Sequence, residues 1–218
     1  AIDKIICFAF EKNNSNQSRI IAIDLNDEFE INLADPIELT DNMWTNYLRG
    51  VLKQLKLKGF KVEGFNCVFS STIPVGSGLS SSAALECGFL FGLNELFNLN
   101  IKPVDIALMG QSAEHWVGIN CGIMDQFSSV MGLENKVIKI DCRTLEYEYH
   151  NADFNDYSLI LFDSNVKHTL MTSAYNERRE QCEEGIAIVT NNFPEITSFR
   201  NCTEQHIIEL KDVMSAAV

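Results

Sequence analysis

Pro74-Val75-Gly76-Ser77-Gly78-Leu79-Ser80-Ser81-Ser82-Ala83-Ala84 joins a strand-like run to an apolar helix, and its reading decides the fold. Phe65 to Thr72 leads in, with Cys67, Val68 and Phe69 among its apolar residues. Ala83 to Phe97 follows, apolar on nearly every side and free of proline, which reads as a buried helix. A flexible linker would be flanked by polar surface, whereas this loop is pinned between two elements. Gly76 and Gly78 let backbone N–H groups turn toward a ligand, and the serines supply N-cap oxygens and hydroxyls. Two readings stand: a glycine turn capping a core helix, or an anion site at the positive end of the helix dipole, suited to phosphates. No lysine follows the glycines, which excludes a Walker loop, and the V-A-I-K, H-R-D and D-F-G set of protein kinases is absent.

The 218 residues suit one large domain or two small ones. A hydrophobic content of 46% and a charged fraction of 22% are those of an ordinary globular protein. With 17 basic against 30 acidic side chains the formal charge is −13, which disfavours nucleic acid or an anionic membrane as partner. It leaves ATP open, because a helix terminus and a metal ion hold phosphates inside an acidic protein. The seven cysteines form no C-x-x-C pair and sit mostly in apolar contexts, so we expect free buried thiols, a reducing cytoplasm and no zinc. No run reaches the roughly 18 apolar residues of a membrane span, and no signal peptide is visible.

Along the chain, Ile5 to Phe10 and Arg19 to Asp24 read as a hairpin with a long polar loop, and Glu28 to Leu33 as a third, half-buried strand. Thr40 or Asp41 is positioned to cap a helix carrying Trp44, Tyr47, Leu48, Val51, Leu52 and Leu55, which ends at Lys58-Gly59. Strands between Phe60 and Thr72 lead into the Gly/Ser loop. A second apolar helix has Pro103 in its first turn and runs to about Trp116. Gly118 to Gln126 forms a turn opening a further helix through Met131; Lys136 to Asp141 and Tyr157 to Asp163 read as strands. A long charged helix starts at Thr169 or Thr172. Strands first and helices later indicate an α+β protein.

Asp125, at the Gly-containing turn, can orient a hydroxyl or take its proton, or simply serve the dipole of the helix it opens. Glu114 lies near the end of the second apolar helix, where a glutamate is usually solvated. His115 beside it has no second ligand at zinc spacing.

The string P-x-G-x-G-L-S-S-S-A at Pro74–Ala83 resembles motif two of the GHMP small-molecule kinases. Asn120-Cys121-Gly122-Ile123-Met124-Asp125-Gln126-Phe127 resembles the galactokinase C-G-I-M-D-Q-F segment, whose Asp is the catalytic carboxylate. Ser164-Asn165-Val166-Lys167-His168 with Ser173 to Cys182 is similar to the galactokinase S-N-x-x-H…S-x-Y-x-x-R-R-x-Q-C stretch, and Asp141-Cys142-Arg143 and Trp44-Thr45-Asn46-Tyr47 also match. The resemblance implies a GHMP kinase fold, a mixed β-sheet packed with helices whose N-terminal region is like domain 2 of ribosomal protein S5. It implies an ATP-binding domain over 1–150 and the start of a second domain over 151–218. Gly76, Ser77, Gly78, Leu79, Ser80, Ser81 and Ser82 would bind ATP; Ser82 and Glu114 would hold Mg²⁺. Asp125 would be catalytic, and Gly122, Asp125 and Tyr175 would meet the sugar. Tyr175 has packing at a helix start as its bland alternative, Arg178 and Arg179 pairing with nearby glutamates, and Trp44 either the adenine or the core.

The implied function is ATP-dependent phosphorylation of galactose by a cytoplasmic, monomeric enzyme. Phosphorylation of a related sugar such as N-acetylgalactosamine is one alternative. The other is a sensor that binds galactose and ATP without turnover, but such sensors lose the Ser-Ala dipeptide that is intact at Ser82-Ala83. The family's first signature, G-R-x-N-x-I-G-E-H-x-D-Y, would lie before Ala1, and its Gly-rich motif three after Val218, so we expect a partial sequence.

Overall fold

Alternation of buried and exposed residues builds the sheet. Ile6–Lys12 (β1), Gln17–Ala22 (β2) and Asp27–Asn32 (β3) precede the helix Met43–Leu57 (α1) and the strand Phe65–Ser71 (β4). β2 buries Ser18, Ile20 and Ala22, and β4 buries Phe65, Cys67 and Phe69. Period two in both puts these side chains on one face, against Leu48, Val51, Leu52 and Leu55 of α1. The computed structural model describes residues 2–74, 77–154, 157, 158, 160, 162 and 171–214, without the side chains of 171–174. The chain divides into two compact units, 1–166 and 167–218.

The strand order is β1-β4-β2-β3, with β1 antiparallel and β2 parallel to β4. This corrects the expected β1–β2 hairpin. β4 inserts between the two because its buried face completes the core, while the polar segment between β1 and β2 folds over the start of β4. There the Asn13 amide donates to the Gly64 carbonyl at 3.1 Å and the Gly64 amide to the Ser15 carbonyl at 2.7 Å. The approach requires glycine, since a Cβ on residue 64 would lie 2.3 Å from the Ser15 oxygen. The other end of β4 is fastened by Asp24, which accepts from the Ser70 hydroxyl and the Ser71 amide.

Ser81–Phe97 (α2), Pro103–Val117 (α3) and Met124–Met131 (α4) complete the layer that carries the site. α2 packs against α1, α3, α4 and β1, and buries Phe89, Leu90 and Leu93 completely. Lys136–Ile140 (β5) and Tyr147–Asn151 (β6) form a hairpin closed by Asp141, whose Oδ1 accepts from the Arg143 amide at 2.8 Å. β6 was not expected, although Tyr147 and Tyr149 alternate with Glu148 and His150; its pairing with β5 supplies the order. Of the strand expected over Tyr157–Asp163, residues 159, 161 and 163 lie outside the described residues, and 157, 158, 160 and 162 are not in a strand.

In the second unit, Met171–Asn192 (α5) and Glu204–Leu210 (α6) bury Val189, Ile196 and Leu210 together. α6 was also not expected. Thr169 lies outside the described residues, and Thr172 falls inside α5. Arg179 pairs with Glu183 at 2.7 Å and Arg178 donates to Gln181 at 2.7 Å, which accounts for both arginines locally. Cys67 and Cys87 are buried as expected, whereas Cys7, Cys142 and Cys182 are exposed; all seven thiols are free. Burial pushes the Cys67 thiol up to about 12.

Candidate active site

The loop after β4 enters α2 through backbone turns that L-residues rarely adopt. Gly78 has φ 73°, and Ser80, the residue before the first helical turn, sits in the left-handed region at φ 55° and ψ 44°. Such a conformation costs a non-glycine residue roughly 1–3 kcal/mol and persists where the surroundings fix it. The surroundings here include a carboxylate. Ser80 makes no side-chain cap to α2, against expectation; its hydroxyl donates instead to Asp125 Oδ2 at 2.6 Å. That is the length of a charge-assisted O–H···O⁻ bond. Asn42, not Thr40 or Asp41, precedes α1, and Thr40 instead bonds Thr45 and Asn46.

Two residues further on, the Ser82 hydroxyl donates to Glu114 Oε1 at 2.9 Å. Glu114 is on α3 and buried; Asp125 is in the first turn of α4 and exposed. The start of α2 therefore presents two hydroxyls, one to each carboxylate. Ser77, also in the loop, donates to the Pro74 carbonyl at 2.8 Å, which closes the turn. The amides of the first turn of α2 have no carbonyl four residues back to bond, and they sit at the positive end of a 17-residue helix. Gly76 lies outside the described residues. Leu79 and Ser81 are half-buried beside Ser80.

Glu114 Oε2 is held from the other side. It accepts from Gln126 Nε2 at 2.6 Å and from the Cys121 thiol at 3.4 Å. Burial raises the Glu114 carboxyl above its ordinary value, offset by the bonds from Ser82 and Cys121. Glu86, one turn past Ser82 on α2, is wholly buried, and neither of its oxygens meets a partner at hydrogen-bonding geometry among the described residues. Burial, then the Glu114 charge, pushes it well above the usual carboxylate range. Nearby Tyr47 and Cys121 are each raised to about 12, first by burial and then by the acidic pair. Sequence reading passed over Glu86 and Gln126. The signal for Glu86 was a carboxylate set among apolar residues of α2, between Leu85 and Cys87.

Gly122 is exposed, and a Cβ there would meet nothing within 4 Å, so space lies open above the turn that aims Asp125. A cavity of about 640 Å³ opens alongside, lined by Ile5, Leu79, Ser80, Phe91 and Asp125 among others. Tyr175 is about half exposed on α5, in the second unit. Trp44 donates to Asp27 at 2.9 Å and packs edge-on against Phe29 and Phe69, which makes it a core residue. His115 Nε2 donates to the Cys121 carbonyl, 2.8 Å away. Among the described residues no group of three or more His, Cys, Asp and Glu side chains gathers to hold a metal. The oxygen pair Ser82 and Glu114 nevertheless fits Mg²⁺, a hard cation that keeps one or two protein ligands and takes the rest from waters and phosphates.

A loop after the central strand, a helix start facing two carboxylates, and a match of residues 46–133 to the GHMP kinases N terminal domain place the chain among the GHMP kinases. Its relatives within them are galactokinases. The galactokinase of Limosilactobacillus reuteri is 41% identical over 186 residues, covering 84% of this chain and 45% of that protein. That of Actinobacillus pleuropneumoniae is 40% identical over 212 residues, 96% of this chain and 53% of the relative. The crystal structure of Lactococcus lactis galactokinase complexed with galactose superposes with a TM-score of 0.88 at 29% identity, covering 98% of this chain and 56% of that one. The chain is thus similar to the galactokinases of this superfamily, and it spans about half the length of the curated relatives it matches.

Proposed function

We propose that the full-length protein transfers the γ-phosphoryl group of ATP to the anomeric hydroxyl of galactose, giving galactose 1-phosphate and ADP. The observation that carries this reading is the pairing of Ser80 with Asp125 and Ser82 with Glu114 across one helix start. Phosphoryl transfer asks a protein for positioning and charge stabilisation rather than covalent chemistry. The loop from Gly76 to Ser82 and the first-turn amides of α2 bind the phosphates. Ser82 and Glu114 hold Mg²⁺, which neutralises charge on the phosphate oxygens when bound. Asp125, exposed beside open space at Gly122, receives the sugar hydroxyl and orients it or takes its proton, with Ser80 fixing the carboxylate. Tyr175 is a sugar contact on the strength of the family motif alone.

We assign residues 1–150 to the ATP-binding domain and 151–218 to the beginning of a second. The free thiols fit a reducing cytoplasm, and no helix among the described residues is long and apolar enough to cross a membrane. Coupled ADP release by the full-length protein, with galactose and N-acetylgalactosamine in parallel, tests the reading. Turnover with galactose on the order of 1–100 s⁻¹ is expected, as kinases typically show. Nucleotide and sugar binding without ADP release would make it a sensor instead.

A further inference from the structure

Asp125 and Gln126 are adjacent in sequence but face different ways. The first turn of α4 leaves Asp125 exposed, while Gln126 is fully buried, with its Nε2 at 2.6 Å from Glu114 Oε2. The amide orientation follows from chemistry: the reversed amide would set its oxygen against a carboxylate oxygen. Space for the side chain is made by Gly110 on α3, where a Cβ would come within 3.3 Å of Gln126 Cγ and 2.9 Å of Cys87 Sγ. The other amide atom, Oε1, is buried without a partner among the described residues, so the side chain is kept inside at a cost. A residue serving packing alone would be apolar here, like its neighbours Phe127 and Met109, which are 1% exposed.

We infer that Gln126 is a positioning residue for the metal site, clamping Glu114 Oε2 so that Oε1 stays turned toward Ser82. This rests on the reading of Ser82 and Glu114 as the Mg²⁺ ligands. One carboxylate with one fixed and one available oxygen suits a cation that demands near-ideal geometry and takes few protein ligands. A side chain holding a ligand from behind typically changes metal affinity or activity roughly 10–100-fold when removed. It also follows that α4 serves both halves of the reaction, with Asp125 toward the sugar and Gln126 toward the phosphates.

The test is Mn²⁺ binding, followed by electron paramagnetic resonance in the full-length protein with a non-hydrolysable ATP analogue. Wild type, Glu114→Ala, Gln126→Met and Ser18→Ala are compared. Met keeps the volume of Gln without its donor; Ser18 is a buried hydroxyl that accepts from the Phe65 amide in the sheet and controls for a general loss of stability. Gln126→Met is expected to weaken Mn²⁺ roughly 10–100-fold, with Ser18→Ala unchanged. A Gln126→Met protein that is less stable but binds Mn²⁺ like wild type overturns the inference while leaving Glu114 a ligand. A Glu114→Ala protein that binds like wild type overturns the metal reading and the inference together. If Gln126→Met does not fold, Gln126→Asn takes its place, since it draws the amide back by about one C–C bond, ~1.5 Å; unchanged Mn²⁺ affinity there overturns the inference equally.

Discussion

Replacing Glu86 by Gln probes the electrostatics behind the site without removing any residue proposed to touch metal or substrate. The Glu86 carboxyl is 0% exposed and beside Glu114, and neither oxygen meets a partner at hydrogen-bonding geometry among the described residues, so the folded protein raises it well above the ordinary value of 4.5 that the unfolded chain keeps. The folded state then binds the extra proton. The stability this group contributes is complete below about pH 4.5 and is lost as the pH rises toward the raised folded value. Each unit of pH in that window removes about 1.4 kcal/mol, so the loss at pH 7 reaches at most about 3.5 kcal/mol. Glutamine has nearly the same shape and no charge to lose in either state. Thermal midpoints of metal-free wild type and Glu86→Gln, measured from pH 5 to 8, give the comparison. Little separation is expected at pH 5, growing toward pH 8 in favour of the variant. At roughly 2–4 °C per kcal/mol, the ceiling at pH 7 is about 7–14 °C. Glu114, also raised, adds a loss of the same sign to both proteins, and because the two carboxyls are coupled the difference reports Glu86 together with its effect on Glu114. Midpoints that run parallel across the range would refute the reasoning.

Glu114→Ala should raise the Mg²⁺ requirement and weaken use of MgATP while leaving galactose affinity nearly unchanged; a Mg²⁺ titration of initial rates checks it, and an unaltered curve removes Glu114 from the site. Gly64→Ala should destabilise the first unit by roughly 1–3 kcal/mol, because the added methyl would meet the Ser15 and Gln17 carbonyls within 2.7 Å; denaturant unfolding measures the loss.

The place of the candidate site in the fold was more legible in the sequence than the sheet was. The Gly/Ser loop reads locally, since glycines before an apolar helix signal their own turn, and α1 through α4 follow from apolar spacing and the proline at the start of α3. The strand order did not follow, because the β2–β4 pairing joins residues more than 40 positions apart and leaves no local trace. Two runs separated by a polar stretch look like a hairpin whether or not a third strand later enters between them. β6 was missed although Tyr147 and Tyr149 alternate with Glu148 and His150; the strand buries little surface, so its alternation marks no core face. The direction of Ser80 could not be read either. A serine before a helix ordinarily caps it, and only the left-handed turn at this residue sends the hydroxyl to Asp125. Gln126 was read as part of the segment around Asp125 but given no role, since a polar residue on a short helix is usually at the surface.

The central claim is that Asp125 handles the sugar hydroxyl, and Asp125→Asn in the full-length protein tests it most directly. Asn keeps the size and can still accept a hydrogen bond, but it neither carries charge nor takes a proton. If Asp125 acts as a base, kcat with galactose falls roughly 10²–10⁴-fold, while the affinities for galactose and ATP hold. If Asp125 serves only the dipole of α4, the variant loses roughly 0.3–1 kcal/mol of stability and keeps its rate. Measuring kcat and the thermal midpoint on the same preparation separates the two: a large drop in kcat with an almost unmoved midpoint is the predicted result, and a slightly less stable but fully active variant would contradict the account.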